Sequence, residues 1–266
     1  MNKLIVLIPH YNSPTDLVKT IASISESFPL DVLIIDDGSK EKPLFEQLKV
    51  AFRNEGELKI VSLYENQGIE KALNEGLKQI KKTFYYKYVG RLDAGDLSVP
   101  DKFGKQLKYL ENNPDVFLLG TWAEVINEEM KHLYYLNHPI NQGDIKKKMY
   151  INNCFIHPSV VYRSEVINTI GFYPENRKSA EDYAYFFKIV KKYKTHNLPE
   201  YLLRYVVSDR SISSQKRNQQ IQSRIKIILD NFYLGVYPIY GLIRNTLLLL
   251  IPQKTILFFK NKFSKK

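Results

Sequence analysis

One cysteine (Cys154), one tryptophan (Trp122) and five histidines stand in 266 residues. A lone cysteine excludes an intramolecular disulfide framework and suits a reducing compartment. The histidines are scattered, no H-E-x-x-H occurs, and the single C-x-x-H spacing of Cys154 and His157 cannot build a zinc site. No G-x-G-x-x-G follows the first apolar run, which argues against a dinucleotide fold of the usual kind. The absence of G-x-x-x-x-G-K-[ST] argues against a P-loop, and that of G-x-S-x-G against a serine hydrolase elbow. Long apolar runs are missing too. The N-terminal run ends at Pro9 and no small-residue cleavage site follows, so no secretion signal is expected. The stretch Ile239 to Phe259 is interrupted by Arg244, Asn245, Pro252, Gln253 and Lys254, which disfavours a spanning helix.

What is present fits a folded globular chain: 44% hydrophobic and 25% charged residues, enough for one large domain or one domain with a small appendage. The formal net charge of +11 is unevenly placed. Residues 1–190 hold 24 basic and 25 acidic residues, whereas residues 191–266 hold 15 basic and 3 acidic. A neutral body therefore carries a basic tail. Basic tails attract nucleic acid or anionic membrane. Here Leu247 to Ile251 and Phe258, Phe259 and Phe263 accompany Lys260, Lys262, Lys265 and Lys266, the composition of an interfacial membrane anchor. The alternative is a core helix pair with a solvated lysine tail; nucleic acid is not expected.

Leu4 to Ile8, Asp31 to Ile35, Leu58 to Leu63 and Tyr85 to Leu92 read as buried strands, with Val116 to Val125 as a fifth. Helices are expected after Ser13-Pro14 and over Ile69 to Lys82, Pro100 to Glu111, Arg163 to Ile170, Ala180 to Tyr193 and Ser213 to Leu234. A short strand is expected within Asn153 to Tyr162. Alternating strands and helices predict an α/β fold with a mostly parallel central sheet flanked by helices and a C-terminal helical extension. Polar residues cluster after strand ends: Tyr11 and Asn12, Asp36 and Asp37, Glu65 and Asn66, Asp93 and Asp96. Ligands of open α/β sheets bind outside the carboxyl ends of strands, so these loops would converge on one acidic crevice. Carboxylates brought together need a cation, and an oxygen-rich site completed by substrate phosphates suits Mg²⁺ or Mn²⁺.

The ordered series Pro9-His10-Tyr11-Asn12, Asp36-Asp37-Gly38-Ser39, Asn66-Gln67-Gly68, Ala72-Leu73-Asn74-Glu75-Gly76, Arg91-Leu92-Asp93-Ala94-Gly95-Asp96, His157-Pro158-Ser159 and Ala180-Glu181-Asp182-Tyr183 resembles the family 2 glycosyltransferases. These are inverting enzymes with the GT-A nucleotide-sugar-binding fold, and the resemblance spans roughly residues 3–215. It implies a GT-A catalytic domain over residues 1–212, with residues 1–125 binding the nucleotide sugar and 126–212 facing the acceptor, followed by the extension 213–266. By the resemblance, Pro9, Tyr11, Asn12, Asp36 and Asp37 frame the base and ribose of the donor, with Asp37 favoured as acceptor from a base N–H. Asn66, Gly68 and Lys71 sit beside the nucleotide, Arg91 beside the diphosphate, and Asp93 and Asp96 hold the metal and donor sugar. Asp182 is the general base, with Glu181 in reserve. His157 lines the acceptor cleft or is a satisfied core histidine; Trp122 is core or an acceptor platform. Arg204, Arg210 and Ser213 lie near the donor. The family commonly has Asp-x-Asp-Asp where this chain has Asp93-Ala94-Gly95-Asp96, so Gly95 replaces an expected metal-binding acid.

The implied function is transfer of a sugar from a nucleotide-diphosphate donor, UDP-hexose by default with thymidine-diphosphate rhamnose as rival, to a glycan or lipid-linked glycan. The setting is bacterial surface-polysaccharide assembly, in the cytoplasm at the inner face of a membrane. A non-catalytic nucleotide-sugar-binding protein on the same fold is the alternative. A nucleotidyltransferase is disfavoured because Pro9 to Asp16 has neither glycine nor a basic cluster beyond His10.

Overall fold

The computed structural model describes residues 3–83, 85–207 and 216–250. The first apolar run forms β1 (Leu4–His10), which pairs in parallel with β2 (Asp31–Asp36) on one side and β4 (Tyr88–Arg91) on the other. β3 (Leu58–Ser62) adds to the outside of β2, also parallel. α1 (Pro14–Ser23), α2 (Phe45–Ala51) and α3 (Ile69–Thr83) make the connections. Alternate residues of β1 feed two cores. Ile5 and Leu7 pack with Leu73, Leu77 and Ile80 of α3, while Leu4, Val6 and Ile8 pack with Leu17 and Ile21 of α1. Burial on both faces explains the unbroken apolar run.

The chain continues through β5 (Leu97–Ser98), α4 (Lys102–Asn112), β6 (Val116–Asn127), β7 (His132–Leu136), α5 (Gln142–Lys148), a 3₁₀ turn at His157–Ser159, β8 (Val161–Arg163), α6 (Glu165–Ile170), α7 (Glu181–Lys192) and β9 (Lys194–Val207). α8 (Arg217–Asp230) and α9 (Val236–Leu250) follow. The strand order is β3-β2-β1-β4-β8-β6-β9-β5, with β7 on β6. β8 runs antiparallel between β4 and β6, and β5 and β7 are likewise antiparallel to their neighbours. β6 and β9 are parallel. The sheet is thus mixed, parallel over β1 to β4 and between β6 and β9 and antiparallel elsewhere.

Several elements differ from expectation. β4 is shorter than Tyr85 to Leu92, because Tyr85 and Tyr86 precede the pairing. Within Asn153 to Tyr162 the chain makes a 3₁₀ turn, and the strand begins only at Val161. Ser13 stands at the N-cap of α1, yet its hydroxyl makes no capping bond. β9 was not anticipated. Pro199 interrupts its pattern, and the register jumps so that Leu198 and Tyr201 are the successive partners of Thr121 and Trp122, leaving Pro199 and Glu200 in a bulge.

The expected C-terminal extension is helical where described, but it does not hang free. Ile227 joins the core beneath α7, and the Ser223 hydroxyl donates to the Lys178 carbonyl at 2.9 Å. Gly241 brings α9 against the body: a Cβ there would stand 1.8 Å from the Tyr150 carbonyl oxygen. Asn245 Nδ2 donates to the Ile151 carbonyl at 3.1 Å, one turn further along. Residues 213–215 and the tail from 251, including Phe258, Phe259, Lys260, Lys262, Phe263, Lys265 and Lys266, lie outside the described residues. Gly241→Val is expected to push α9 off Tyr150 and to destabilise the fold by on the order of 1–3 kcal/mol. Chemical denaturation checks the loss, and limited proteolysis should then cut first between α8 and α9.

Candidate active site

Because β1 to β4 are adjacent and parallel, their carboxyl ends and following loops gather at one edge of the sheet. After β1, His10 is buried, and its Nε2 accepts the Ser13 N–H at 3.1 Å. Nε2 therefore carries no proton, and Nδ1–H donates to Asp36 Oδ1 at 2.9 Å. Asp36 is fully buried, and its other oxygen has no partner among the described residues. Asn12 adopts a left-handed backbone (φ 50°); its side-chain oxygen accepts the Lys40 N–H at 2.8 Å, and its own N–H donates to the Ser39 hydroxyl at 2.8 Å. The loops after β1 and β2 are tied together in this way.

Asp37 ties in the third loop. Its two carboxylate oxygens accept the N–H groups of Gln67 (2.8 Å) and Gly68 (2.9 Å). Burial pushes this carboxyl up against the lowering pull of both N–H groups. Tyr11, Asn66 and Lys71 are exposed and Pro9 is half-buried around this junction.

Arg91, expected beside a diphosphate, is instead fully enclosed. Its Nη1 donates to the carbonyls of Leu7 and Leu92, its Nε to His157 Nε2 at 3.3 Å, and its Nη2 to Asp93 Oδ1 at 2.6 Å. The side chain is a strut within the sheet that aims Asp93. His157 is correspondingly a core histidine, not part of an open acceptor cleft. Its Nε2 also accepts the Tyr173 hydroxyl at 3.0 Å, and burial followed by the Arg91 charge holds it well below the usual imidazole range, hence neutral. Asn74 completes the relay by exchanging two hydrogen bonds with the Tyr173 backbone, at 2.9 and 2.8 Å.

The turn after β4 is pinned by Thr20 of α1, whose hydroxyl accepts the Gly95 N–H and donates to the Asp96 carbonyl, both at 2.9 Å. Asp96 points inward. It is buried, its Oδ1 accepts the Val206 N–H of β9 at 2.8 Å, and burial followed by the Asp93 charge raises its carboxyl well above the usual range. Asp93 keeps 28% of its side chain exposed. Beneath the turn lies a buried cation absent from the sequence expectations. Lys102 Nζ donates to the carbonyls of Arg91 and Pro158 at 3.3 Å each, and burial pushes it down to about 7.

Glu181 and Asp182 open α7. Asp182 accepts Asn153 Nδ2 at 2.8 Å on one oxygen and the Tyr183 N–H at 2.7 Å on the other. Glu181 is buried, and one of its oxygens has no partner among the described residues. Burial raises both carboxyls, and the charge of Asp182 raises Glu181 further. Asp93 acts electrostatically on both, raising each a little further, so the β4 turn lies within charge-interaction range of the head of α7.

The family model described as Glycosyl transferase family 2 matches residues 5–171. The chain belongs to glycosyltransferase family 2. The amylovoran biosynthesis glycosyltransferase AmsE of Erwinia amylovora is 30% identical to it over 277 residues, covering 98% of both chains. The O-antigen biosynthesis glycosyltransferase WbnJ of Escherichia coli is 28% identical over 215 residues, covering 79% of this chain and 81% of its own. Among solved structures, S. aureus TarS 1-349 in complex with UDP-GlcNAc has a TM-score of 0.65 at 19% identity, over 91% of this chain and 69% of that one. The mannosyltransferase PcManGT from Pyrobaculum calidifontis, in complex with GDP-Man and Mn²⁺, has 0.62 at 16%, over 93% and 69%. The GT-A-like fold is thereby the fold found.

In this glycosyltransferase the metal-binding expectation needs revision. Among the described residues no group of three or more His, Cys, Asp or Glu is placed to hold an ion. Asp96 is turned inward, with Oδ1 taken up by the Val206 N–H. Asp93 does fit, since Mg²⁺-type sites use one or two carboxylates completed by substrate phosphates. Gly95 has open space where a Cβ would stand, but its φ of 109° disfavours any side chain. Of the other expected positions, Trp122 donates from Nε1 to the His138 carbonyl at 2.9 Å and lies beside Tyr201, at 5.5 Å between ring centroids. Arg204 pairs with Glu124 at 3.4 Å, while Arg210 and Ser213 lie outside the described residues. Sequence reasoning missed Asn153, because an asparagine in a polar loop carries no spacing signal. Arg91→Met should strip partners from Leu7, His157 and Asp93 together, costing about 3–5 kcal/mol of stability by chemical denaturation.

Proposed function

We propose that the enzyme transfers a hexose from a nucleoside diphosphate, UDP by preference, to a glycan acceptor by single displacement with inversion. The observation that carries this reading is Asp182, fixed by Asn153 and the Tyr183 N–H within electrostatic reach of Asp93. The acceptor hydroxyl must lose a proton as it attacks the anomeric carbon, and a carboxylate within hydrogen-bond reach can take it. Burial makes Asp182 a stronger base than an ordinary aspartate; Glu181, raised further, is the reserve. The loops after β1, β2 and β3, with Pro9, Tyr11, Asn12, Asp37, Asn66, Gly68 and Lys71, cradle the nucleoside. Asp36 acts behind them through His10. Asp93 faces the diphosphate, where it would hold a divalent cation that neutralises charge on the leaving group. Residues 1–212 form the catalytic part in this reading and 213–266 the extension.

The setting we infer is polysaccharide assembly on a lipid-linked acceptor at the cytoplasmic face of a membrane. The names of AmsE and WbnJ support the pathway class. Among the described residues no helix is long and apolar enough to cross a membrane. The outer face of α9 nonetheless exposes Ile239, Tyr240, Ile243, Leu247 and Leu250, and the turn before it Phe232, Tyr233 and Leu234, a stripe suited to interfacial docking.

Asp182→Asn is expected to lower kcat by at least a thousandfold while the nucleotide Kd stays within about twofold; unchanged turnover would move the base to Glu181 or elsewhere. The acid limb of kcat/KM should lie above the ordinary aspartate value of about 4, because the base works ionised and burial raises it. A panel of nucleotide sugars with Mn²⁺, Mg²⁺ or chelator separates catalysis from mere nucleotide binding, the signature of a scaffold protein. Ile243→Glu with Leu247→Glu should cut co-sedimentation with anionic vesicles several-fold and leave turnover of a soluble acceptor intact; undiminished co-sedimentation would remove the docking face.

A further inference from the structure

The hairpin of α8 and α9 carries three arginines, Arg217 and Arg224 on α8 and Arg244 on α9. Arg217 and Arg224 lie two helical turns apart on one face of α8. Arg217 Nη2 reaches across to the Leu248 carbonyl of α9 at 2.6 Å and its Nη1 donates to Asn218 Oδ1 at 3.2 Å, while Arg224 Nη2 donates to Gln220 Oε1 at 2.8 Å. Arg244 of α9 has a buried Nη1 with no hydrogen-bond partner among the described residues. It sits between Gly241 and Asn245, the residues that seat α9 on Tyr150 and Ile151, and Asn153 of that same segment holds Asp182. No carboxylate among the described residues lies within ion-pair distance of these three guanidinium groups. Asp182 acts on Arg224 at longer range, against the repulsion of Arg244 and Arg217.

An unpaired guanidinium in a partly buried cluster of like charges is costly unless an anion completes it. The planar guanidinium fork suits the oxygens of a phosphate, and the three groups lie close enough to repel one another. We propose that Arg217, Arg224 and Arg244 bind a phosphate or diphosphate group carried by the acceptor, and that this contact sets the acceptor hydroxyl against the base. The proposal rests on the reading of Asp182 as that base. The donor diphosphate belongs at Asp93, so a second anion site beside the base falls to the acceptor. The apolar outer face of α9 runs past the same place, as an acceptor with an apolar carrier would require.

The test uses the full chain saturated with UDP, so that the donor site is filled, and titrates inorganic pyrophosphate by calorimetry. Arg224→Gln with Arg244→Gln should weaken pyrophosphate at least tenfold, and Arg224→Lys with Arg244→Lys should fall between; equal affinity in all three proteins overturns the proposal. If the glutamine variant does not fold, phenylglyoxal labelling of the wild-type chain decides. Pyrophosphate should protect Arg244, and undiminished labelling overturns the proposal. A second arm compares an alkyl-diphospho-sugar acceptor with the same alkyl glycoside lacking phosphate. The glutamine variant should raise KM at least tenfold for the first only. Binding of phosphatidylglycerol vesicles without pyrophosphate binding, and with both KM values unchanged, assigns the cluster to lipid headgroups and overturns the proposal. Arginine-dependent pyrophosphate binding in a protein whose Asp182→Asn variant keeps full turnover supports the anion site and removes only the reading of the base.

Discussion

Arg91 sets a full charge at the end of a strand whose neighbours are apolar, and a charge in that position must be met by hydrogen bonds on every side. It is met by the carbonyls of Leu7 and Leu92, the ring of His157 and the carboxylate of Asp93. Each partner is fixed in turn. His157 has to be neutral to accept from a guanidinium, and burial keeps it so. Tyr173 supplies its second donor and is held by Asn74 of α3. The orientation of Asp93 is therefore the outcome of a chain of contacts drawn from β1, α3, the 3₁₀ turn and the loop after α6. Buried networks of this kind tolerate little change, because removing one member leaves the others unsatisfied.

The same logic orders the nucleoside side. His10, Asn12 and Asp37 do not point at open space so much as at one another's loops. They hold three strand-end loops in register, with Tyr11, Asn66 and Lys71 exposed around them. A rigid underside with exposed tips is the arrangement that preorganises a site at low entropic cost.

Carboxylates in the first turn of a helix are favoured by its dipole. At α7 that gain is opposed by burial and by mutual repulsion, and the net direction for both Glu181 and Asp182 is upward. Arg224 pulls Asp182 the other way. The C-terminal hairpin thus bears on the proposed base electrostatically, although it lies far from the nucleotide loops in sequence. Its buried side is mixed, with Ile221, Ile227 and Ile228 packed inward beside Ser223 and Asn245, while its outer face is apolar.

Strands β1 to β4, their parallel pairing and the acids at their ends were legible in the sequence, because a strand buried on both faces must be a continuous apolar run and its ligand-facing loop must be polar. Asp93 and the Glu181-Asp182 pair were legible for the same reason: ionisable groups at element ends stand out against apolar runs. Burial was not legible. Arg91 and Asp96 read as ligand-facing groups and His157 as either cleft or core, and only the packing of β8, the 3₁₀ turn and β9 enclosed all three. β9 itself was hidden by Pro199, which a bulge accommodates. The arginines of the hairpin read as part of a diffuse basic tail, since net charge carries no direction. Gly241 and Asn245 seat α9 on Tyr150 and Ile151, and Arg224 of the packed hairpin acts electrostatically on Asp182. Local pattern decides which segments form strands and helices; which charges face water and which face one another is decided by contacts between residues remote in the chain.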